Sequence, residues 1–330
     1  MVFSLLYIMK LEDTIKNQFD KTLYETNFSA LGTPYRGKVR DNYIRDDIRI
    51  IIATDRISSF DRVITTIPFK GQMLNQISSF WFEKTKNITR NHLIESPDPN
   101  VAVVTQCKTI PIEMIVRAYI TGTMWRSYQK GEPTSGITLP KGMGRNQKFD
   151  DIIITPSTKE ESGHDIYISK EEILKENLVD REIYEQMEEA SIKLFEFGQN
   201  FCKKNGLILV DTKYEFGISK KGLMVIDEIH TQDSSRFWIA ETYNESFAAG
   251  KEPEILDKEI FREWLMKTYP EIFPNIRPDQ EIPPISEEIK IEVVNRYIKS
   301  YEKITGLKFK PDFSNILQRI QENLKKANYL

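Results

Sequence analysis

The stretch from residue 207 to residue 238 constrains the fold of this chain more than any other. Two short apolar runs, 207–210 and 223–226, flank the turn sequence Ser-Lys-Lys-Gly at 219–222, which is a β-hairpin pattern. Fully apolar runs of this length are typical of strands buried on both faces. The stretch therefore predicts a buried antiparallel hairpin at the centre of the protein.

Charged residues gather where these predicted strands end. Asp211, Lys213 and Glu215 alternate along the chain, so they share one face of a strand, with neighbours about 6–7 Å apart. With the turn centred on its two lysines, Lys213 is expected opposite Asp227 or Glu228. A lysine among three or four carboxylates provides the oxygen ligands that Mg²⁺ uses together with water and substrate phosphates.

The competing interpretation is a salt-bridged hairpin on a wet surface. A single lysine–carboxylate pair would favour that interpretation. Here the charges crowd against two apolar runs, and Asp-Ser-Ser-Arg follows at 233–236. The residues therefore favour a functional site.

Length and charge limit the classes of protein to consider. The 330 residues are enough for two or three domains and a sizeable core. The net charge of −3 disfavours a general nucleic-acid binder, which normally carries a basic surplus. Cys107 and Cys202 match no metal or redox spacing and are expected as buried free thiols. The scattered His92, His164 and His230 form no zinc pattern.

The first nine residues, MVFSLLYIM, are apolar but lack a basic start and a small-residue cleavage site. They are too short to span a bilayer, so they are interpreted as an extra leading segment or a packing strand, with Met9 as an alternative native start. Nothing else approaches a transmembrane run. A cytoplasmic protein without a membrane partner is expected.

Gly32, Gly37 and Lys38 fit the spacing of the phosphate-binding P-loop, but their context does not. Val39 stands where Ser or Thr should hold Mg²⁺, and a strand-like pattern follows where a helix should begin. We therefore reject a P-loop. Lys38 remains a candidate phosphate ligand, because a lysine after a glycine in a hairpin can reach phosphates. An exposed strand lysine is the alternative.

Strands are predicted at 35–44 and 48–54, again as a hairpin. The polar residues 55–62 follow the second strand and include Ser59 and Asp61. Short polar loops at strand ends often form binding sites.

Further strands at 101–107 and 112–117 end in Arg117, and Thr-Gly-Thr follows at 121–123. An arginine with a glycine and two hydroxyls fits a phosphomonoester pocket, because a guanidinium pairs bidentately with phosphate. The basic and aromatic residues that continue to Lys130 admit RNA binding as an alternative, which the acidic pI disfavours.

Helical periodicity covers much of the remainder. Helices are predicted at 71–86, 181–204, 257–268, 286–305 and 314–328, with a short one opened by a capping box at Ser169. Residues 131–165 are rich in Gly, Pro, Ser and Thr and predict a functional loop or a mobile lid, with a strand at 152–155.

Five segments in order, GKVRD, ATDRISSFD, RAYITGT, LILVDTKYEFG and DEIHTQDSSRFW, resemble the phosphoribosylaminoimidazole-succinocarboxamide synthase (SAICAR synthetase) family. The resemblance spans residues 37–238, and the C-terminal helical region is similar to that of the long, fungal-type members. It implies an α+β fold. The implied parts are a β-rich ATP-binding domain at 1–110, a central α/β domain at 111–255 whose antiparallel sheet and helices carry the metal and CAIR sites, and a C-terminal helical region at 256–330.

The resemblance also implies a reaction. ATP activates the carboxylate of carboxyaminoimidazole ribotide (CAIR) through an acyl phosphate, and the amine of L-aspartate then attacks it. The products are SAICAR, ADP and phosphate. Mg²⁺ is the implied cofactor, the partners are these small-molecule substrates rather than nucleic acid, and a monomer or small homo-oligomer is expected.

Site residues follow from the resemblance by position. Lys38 and Lys213 match ATP-phosphate ligands, while Glu215 and Asp227 match the acids linked to Mg²⁺. Together with Lys213 these two acids form the implied catalytic group. The implied substrate-binding residues are Ser59, Asp61, Arg117, Thr123, Asp233, Ser234 and Arg236.

Within that set, Arg117, Thr123 and Arg236 match the positions that hold the CAIR 5′-phosphate. Thr123 departs from the family's usual Ser, which keeps the hydroxyl but adds a methyl group beside the phosphate. Asp211 is a weaker candidate for orienting Lys213.

Two other classes compete with the ligase. A small-molecule kinase would carry a His-Arg-Asp loop and an Asp-Phe-Gly segment, and the sequence contains neither. A non-catalytic nucleotide-binding scaffold would be indicated by loss of Lys213 or Asp227, and both are retained. The residues therefore favour the ligase.

Overall fold

Antiparallel sheets and the helices that pack on them make up the computed structural model, which describes residues 12–159 and 166–330. The predicted α+β class is confirmed. The apolar N-terminal segment and residues 160–165 of the predicted loop lie outside the described residues. None of the helices in the described ranges is long and apolar enough to cross a membrane.

The strands in the described part of the chain all end by Ile239, and helices make up the regular structure after it. In chain order, the strands are β1 (Thr33–Arg36), β2 (Arg40–Arg45), β3 (Ile48–Ala53), β4 (Arg56–Ser59), β5 (Arg62–Thr66), β6 (Leu93–Asp98), β7 (Val101–Thr105), β8 (Lys108–Tyr119), β9 (Lys148–Ile154), β10 (Ser157–Thr158), β11 (Leu207–Ser219), β12 (Gly222–Ile226) and β13 (Ser235–Ile239). From residue 70 onward, the α-helices are α1 (Lys70–Thr85), α2 (Gly122–Lys130), α3 (Lys170–Lys175), α4 (Arg181–Lys204), α5 (Ala240–Ala248), α6 (Glu259–Thr268), α7 (Glu287–Thr305) and α8 (Ile316–Lys326).

The chain divides into two compact units. The first contains the residues up to Ser79 together with Leu93–Gln106 and Asp257–Leu330, and the second contains Phe80–His92 and Cys107–Leu256. The first unit holds a five-stranded sheet in the order β1-β2-β3-β7-β6 and the separate hairpin β4-β5. The second holds a sheet in the order β10-β8-β11-β12, in which β13 also pairs with β11 and β9 with β8.

The C-terminal helices belong to the first unit, although the sequence treats 256–330 as a region of its own. Ile320 and Leu324 of α8 pack in one core with residues of the N-terminal sheet such as Ile50 and Val101. Arg319 of the same helix pairs with Asp98 at 3.0 Å. Burial of this apolar face on the sheet joins α8 to the N-terminal strands.

The central strand β11 differs from the predicted hairpin in its pairing. The turn at 219–222 is confirmed, but β12 pairs only with the second half of β11, from Ser219 back to Glu215. The first half pairs with β13, with Leu207 opposite Ile239. The ladder with β12 stops at Ile226 because Asp227 adopts a left-handed backbone (φ 67°), which ends the strand.

Strand β8 is longer than predicted and runs through Pro111, where the sequence indicates a break. Proline has no N–H to give to a ladder, so within sheets it is confined to edges and irregular positions. The pairing of β8 with β11 is irregular at this point, shifting between Glu215 and Gly217. A local bulge therefore accommodates the proline.

Candidate active site

The second unit gathers an acidic cluster around one lysine. The Lys213 ammonium lies 2.5 Å from Glu113 Oε1 and 2.8 Å from Glu215 Oε1. Glu215 also pairs with Lys159. Both glutamates are buried, whereas the lysine side chain is 33% exposed. The predicted lysine among carboxylates is thus present, with its side chain partly exposed.

The protonation states in this cluster are fixed by mutual attraction. Burial by itself would lower the pKa of Lys213, but the carboxylates of Glu215, Glu113 and Asp227 outweigh it and raise that pKa above its ordinary value. Burial would raise the pKa of Glu215, and the ammonium groups of Lys213 and Lys159 outweigh it, so that pKa lies below its ordinary value. The lysine is held charged and the glutamate is held ionised.

Two members of this cluster, Glu113 and Lys159, are absent from the sequence prediction. Glu113 stands directly opposite Glu215 in the ladder between β8 and β11. Its signal in the sequence is a single acid inside the apolar run of β8. Lys159 follows β10, and nothing in the local pattern links it to Glu215. Glu228, one of the two acids expected opposite Lys213, instead accepts a hydrogen bond from Thr231 Oγ1 at 2.7 Å.

A second cluster joins two arginines through one aspartate. Asp211 Oδ2 accepts hydrogen bonds from Arg117 Nη1 at 3.1 Å and Arg236 Nη1 at 2.6 Å. Arg117 and Arg236 reach it from opposite sides because β8 and β13 both pair with β11 at Asp211. The expectation that Asp211 orients Lys213 is wrong, since its carboxylate is engaged by the arginines.

Thr123 lies in the first turn of α2, beside this arginine cluster. A Cβ placed on Gly122 would lie 2.5 Å from Arg236 Nη2, so the glycine leaves the space that the guanidinium occupies. The Thr123 hydroxyl is 2.5 Å from the hydroxyl of Tyr167, which in turn accepts from Arg117 Nη2 at 2.9 Å. The structure thus brings the three predicted phosphate residues into one neighbourhood and adds Tyr167.

The segment that contains Asp233 and Ser234 forms the turn before β13. The Ser234 hydroxyl accepts a hydrogen bond from the Thr231 amide at 3.1 Å, and the Ser234 carbonyl accepts from the Lys213 amide at 3.0 Å. The Asp233 amide donates to Thr231 Oγ1 at 3.3 Å. This turn is therefore tied to the backbone of the strand that carries Lys213.

Lys38, Ser59 and Asp61 belong to the first unit. Lys38 lies in the turn between the antiparallel strands β1 and β2, so no helix follows it and the rejection of a P-loop is confirmed. The segment 55–62, predicted as a loop, is the hairpin β4-β5 with Asp61 at its tip. The Lys38 ammonium pairs with the Asp61 carboxylate, and both side chains are about half exposed. Ser59 is buried, and its hydroxyl has no hydrogen-bond partner among the described residues.

Arg56 fixes the turn that carries Lys38. Its buried guanidinium donates to the carbonyl oxygens of Lys38 at 2.9 Å and Gly37 at 3.1 Å, and to the Asp41 carboxylate at 2.8 Å. Thr54 Oγ1 donates to the carbonyl of Val39 at 2.7 Å. The backbone of the turn is therefore held from beneath while the lysine side chain stays exposed.

His230 lies near the acidic cluster in sequence but is built into the core. Its Nε2 is 2.5 Å from the Tyr214 hydroxyl, and its ring packs edge-on against Trp81 with 4.7 Å between the ring centroids. Its Nδ1 has no hydrogen-bond partner among the described residues. Burial lowers the pKa of His230 to about 3. The imidazole is thus a neutral core group rather than a solvent-facing base.

This histidine predicts a loss of stability in acid. Below pH 6.5 the unfolded chain protonates His230 and the folded chain does not, so stability falls as the pH drops from about 6.5 to about 3. The slope is about 1.4 kcal/mol per pH unit. Between pH 7 and pH 5, urea unfolding should show a loss about 2 kcal/mol larger in the wild type than in His230→Gln.

Tyr214→Phe is the matched control for that measurement. It removes the hydrogen bond to His230 but keeps the titrating imidazole, so it should retain the wild-type pH dependence. Equal pH dependence in His230→Gln and the wild type would contradict the assignment of the acid loss to His230.

The donor set around Lys213 decides which kind of metal could bind. Among residues 12–159 and 166–330, no group of three or more His, Cys, Asp or Glu side chains is arranged to hold a metal ion. Mg²⁺ usually takes only one or two carboxylates and completes its shell with water and substrate phosphates. The described residues therefore offer no complete metal cage, and the carboxylates available for such a Mg²⁺ are Glu215, which already pairs with Lys213 and Lys159, and the half-buried Asp227.

Comparisons with known proteins agree with this fold. A family model described as SAICAR synthetase matches residues 33–275. A phosphoribosylaminoimidazole-succinocarboxamide synthase of Legionella pneumophila (strain Paris) is 44% identical over 312 residues, which cover 92% of this chain and 98% of the relative.

Solved structures of SAICAR synthetases are also similar to this chain. A SAICAR synthase from Saccharomyces cerevisiae complexed with SAICAR is similar with a TM-score of 0.73 and 31% identity, covering 87% of this chain and 99% of that one. A type-2 SAICAR synthetase in complex with ADP is similar with a TM-score of 0.64 and 25% identity, covering 84% of this chain and 100% of that one.

Fold, site and similarities together define the class as an ATP-dependent carbon–nitrogen ligase. Within that class, the chain belongs to the SAICAR synthetase family. The family resemblance drawn from the five sequence segments is confirmed.

Proposed function

We propose that this chain joins L-aspartate to the carboxylate of CAIR at the expense of ATP, through an acyl phosphate, and yields SAICAR, ADP and phosphate. One observation carries the proposal. Asp211, which holds the two arginines, and Lys213, which stands among the acids, are alternate residues on one face of β11. An anchor for one phosphate and a cation for another are thus only about 7 Å apart along one strand.

The nucleotide is assigned to two lysines and two acids. Lys38 and Lys213 bind the ATP phosphates as point charges. Glu215 and Asp227 hold Mg²⁺, which when bound neutralises charge on the transferring phosphoryl group. Glu113 and Glu215 keep Lys213 protonated and fixed in place. Lys213, Glu215 and Asp227 form the catalytic group.

The ribotide phosphate is assigned to the arginine cluster. Arg117, Thr123 and Arg236 supply donors to it, and phosphate oxygens accept from guanidinium and hydroxyl groups alike. Ser59, Asp61, Asp233 and Ser234 are assigned to substrate binding as a group. The buried hydroxyl of Ser59 supports its share of that assignment, since it has a hydrogen bond left to make.

None of these side chains is required to form a covalent bond. The chemistry consists of a carboxylate attacking ATP and an amine attacking the acyl phosphate, and both steps gain from fixed proximity of the reactants. The cations also offset charge as it moves between phosphate oxygens. No general base is assigned to deprotonate the ammonium of L-aspartate before its amine attacks, and the burial and lowered pKa of His230 support leaving it out of that role.

The expected result is that ADP release by the purified protein requires ATP, Mg²⁺, CAIR and L-aspartate together. Omitting each component in turn tests the reaction, and SAICAR absorbance should rise in step with ADP. Release without aspartate would instead indicate a kinase or an uncoupled acyl phosphate. Nucleotide binding with no release would favour the non-catalytic scaffold.

The cellular setting extends the proposal. We place the enzyme in the cytoplasm as a monomer or small homo-oligomer whose partners are its small-molecule substrates, without nucleic acid. The net charge of −3 supports the last point. Size-exclusion chromatography with light scattering tests the assembly.

A further inference from the structure

Tyr167 touches two of the three side chains assigned to the ribotide phosphate, although nothing in the sequence patterns singles it out. Its hydroxyl is 2.9 Å from Arg117 Nη2 and 2.5 Å from Thr123 Oγ1. Its ring also faces the Arg117 guanidinium, with 5.9 Å from Cζ to the ring centroid. The tyrosine thus connects the buried arginine to the exposed threonine.

The backbone holds Tyr167 in this place. It forms an antiparallel bridge with Ser157, in the short strand β10. The neighbouring residues are tied to the same segment, because the Thr158 amide donates to the Ile166 carbonyl at 2.9 Å and the Ile168 amide to the Pro156 carbonyl at 3.1 Å. The hydroxyl of Tyr167 is therefore presented from a fixed sheet edge.

The chemistry of the groups sets the direction of the hydrogen bond from Arg117, whereas the bond between the two hydroxyls can run either way. A guanidinium has only donors, so Arg117 donates and the Tyr167 oxygen accepts. Between Tyr167 and Thr123 either hydroxyl can be the donor, and in one of the two arrangements the single hydrogen of Tyr167 faces Thr123 Oγ1. In that arrangement the hydrogen of the threonine hydroxyl is left to donate elsewhere, and a phosphate oxygen is a pure acceptor.

Arg117 has enough N–H donors to keep its hydrogen bond to Tyr167 and to bind an anion at the same time. Three of its five N–H donors are accounted for by Thr155 Oγ1, Asp211 Oδ2 and the Tyr167 hydroxyl. Thr123 is the second residue of α2, whose N-cap Thr121 makes no side-chain cap. The backbone amides of that first turn therefore also favour an anion.

We propose that Tyr167 is a positioning residue of the phosphate pocket: it accepts from Arg117 and donates to Thr123, and so turns the Thr123 hydroxyl hydrogen toward the substrate's phosphate. The inference rests on the proposed function, which supplies the phosphorylated substrate. Tyr167 acts through Thr123 and does not itself need to touch the phosphate.

The test compares Tyr167→Phe with the wild type in steady-state kinetics. The KM for CAIR should rise about tenfold, the value of one hydrogen bond to a charged group. The kcat and the KM values for ATP and L-aspartate should stay within about twofold, because Tyr167→Phe removes one hydroxyl and leaves the fold. A change in all constants together would indicate a structural role and overturn the proposal.

Tyr128→Phe is the matched control. The Tyr128 hydroxyl also makes two hydrogen bonds: it donates to the Pro140 carbonyl at 2.9 Å and accepts from the Met143 amide at 3.0 Å. Neither bond involves a residue assigned to the ribotide phosphate. Its loss should leave the KM for CAIR unchanged.

A double-mutant cycle with Thr123→Val tests the route. Thr123→Val alone should raise the KM for CAIR, and adding Tyr167→Phe to it should raise it little further, since Tyr167 acts through the missing hydroxyl. Additive effects would overturn the proposal. So would an unchanged KM in Tyr167→Phe, or a lower one, which would mean that Tyr167 competes with phosphate for Arg117.

The experiments distinguish a failure of the proposed function from a failure of the role proposed for Tyr167. A wild-type protein that releases no ADP with all four components contradicts the function itself. A wild type that turns over while Tyr167→Phe behaves identically contradicts only the role of Tyr167.

Discussion

Replacing Asp227 with Asn is expected to lower Mg²⁺-dependent turnover by at least about a thousandfold, because a lost ligand removes several kcal/mol of transition-state charge stabilisation. The fold should survive. Asp227 has a left-handed backbone, and Asn is among the few residues that adopt it readily. Lys213 stays charged, since Glu215 and Glu113 remain beside it.

Asp46→Asn is the control for the backbone. Asp46 also has a positive φ, of 54°, but lies exposed in the turn between β2 and β3. Its replacement should leave turnover unchanged. Steady-state rates measured across a Mg²⁺ titration, with thermal unfolding of each variant, decide the matter. Full activity in Asp227→Asn at every Mg²⁺ concentration would remove Asp227 from the metal site.

The sequence predicts the central strand and its charges well because both are local. Alternation of Asp211, Lys213 and Glu215 follows from the period of a strand, and the turn at 219–222 follows from its residue types. The side chains that complete the cluster come from other elements. Glu113 is delivered by the register of β8 on β11, which no local pattern encodes.

The role of Asp211 shows the same limit more sharply. Strand periodicity places it on the face of Lys213, and from sequence alone a lysine is its natural partner. In the sheet, however, cross-strand neighbours lie closer than residues two apart on one strand. Because β8 and β13 both pair with β11 at Asp211, its carboxylate contacts the arginines of those strands rather than Lys213.

The N-terminal hairpins show where local turn chemistry is hardest to interpret. The polar run 55–62 has the composition of a loop, yet it forms β4 and β5 around a turn at Phe60 and Asp61, both with positive φ. Neither residue is a glycine, so the usual signal for such a turn is missing. The contact made at its tip, between Lys38 and Asp61, joins residues of two hairpins that are 23 positions apart in sequence.

Replacing Arg117 with Met is expected to raise the KM for CAIR at least about thirtyfold, because truncating one partner of a buried, hydrogen-bonded charge pair costs about 2–5 kcal/mol. The KM for ATP should change little. Asp211 keeps Arg236 at 2.6 Å, so its charge stays compensated and the loss in unfolding free energy should be about 1–3 kcal/mol. Steady-state kinetics with each substrate varied in turn measure the split.

Arg319→Met separates binding from stability in that experiment. Arg319 is also largely buried and paired, with Asp98 at 3.0 Å, but it lies on α8 and has no assigned substrate. It should lower the melting temperature without changing the KM for CAIR.

The nucleoside form of the substrate, which lacks the 5′-phosphate, gives a second test of Arg117. Wild type and Arg117→Met should bind it equally weakly, since the arginine has no phosphate to hold. A variant that keeps its affinity for CAIR and loses affinity for L-aspartate would instead assign Arg117 to the amino acid.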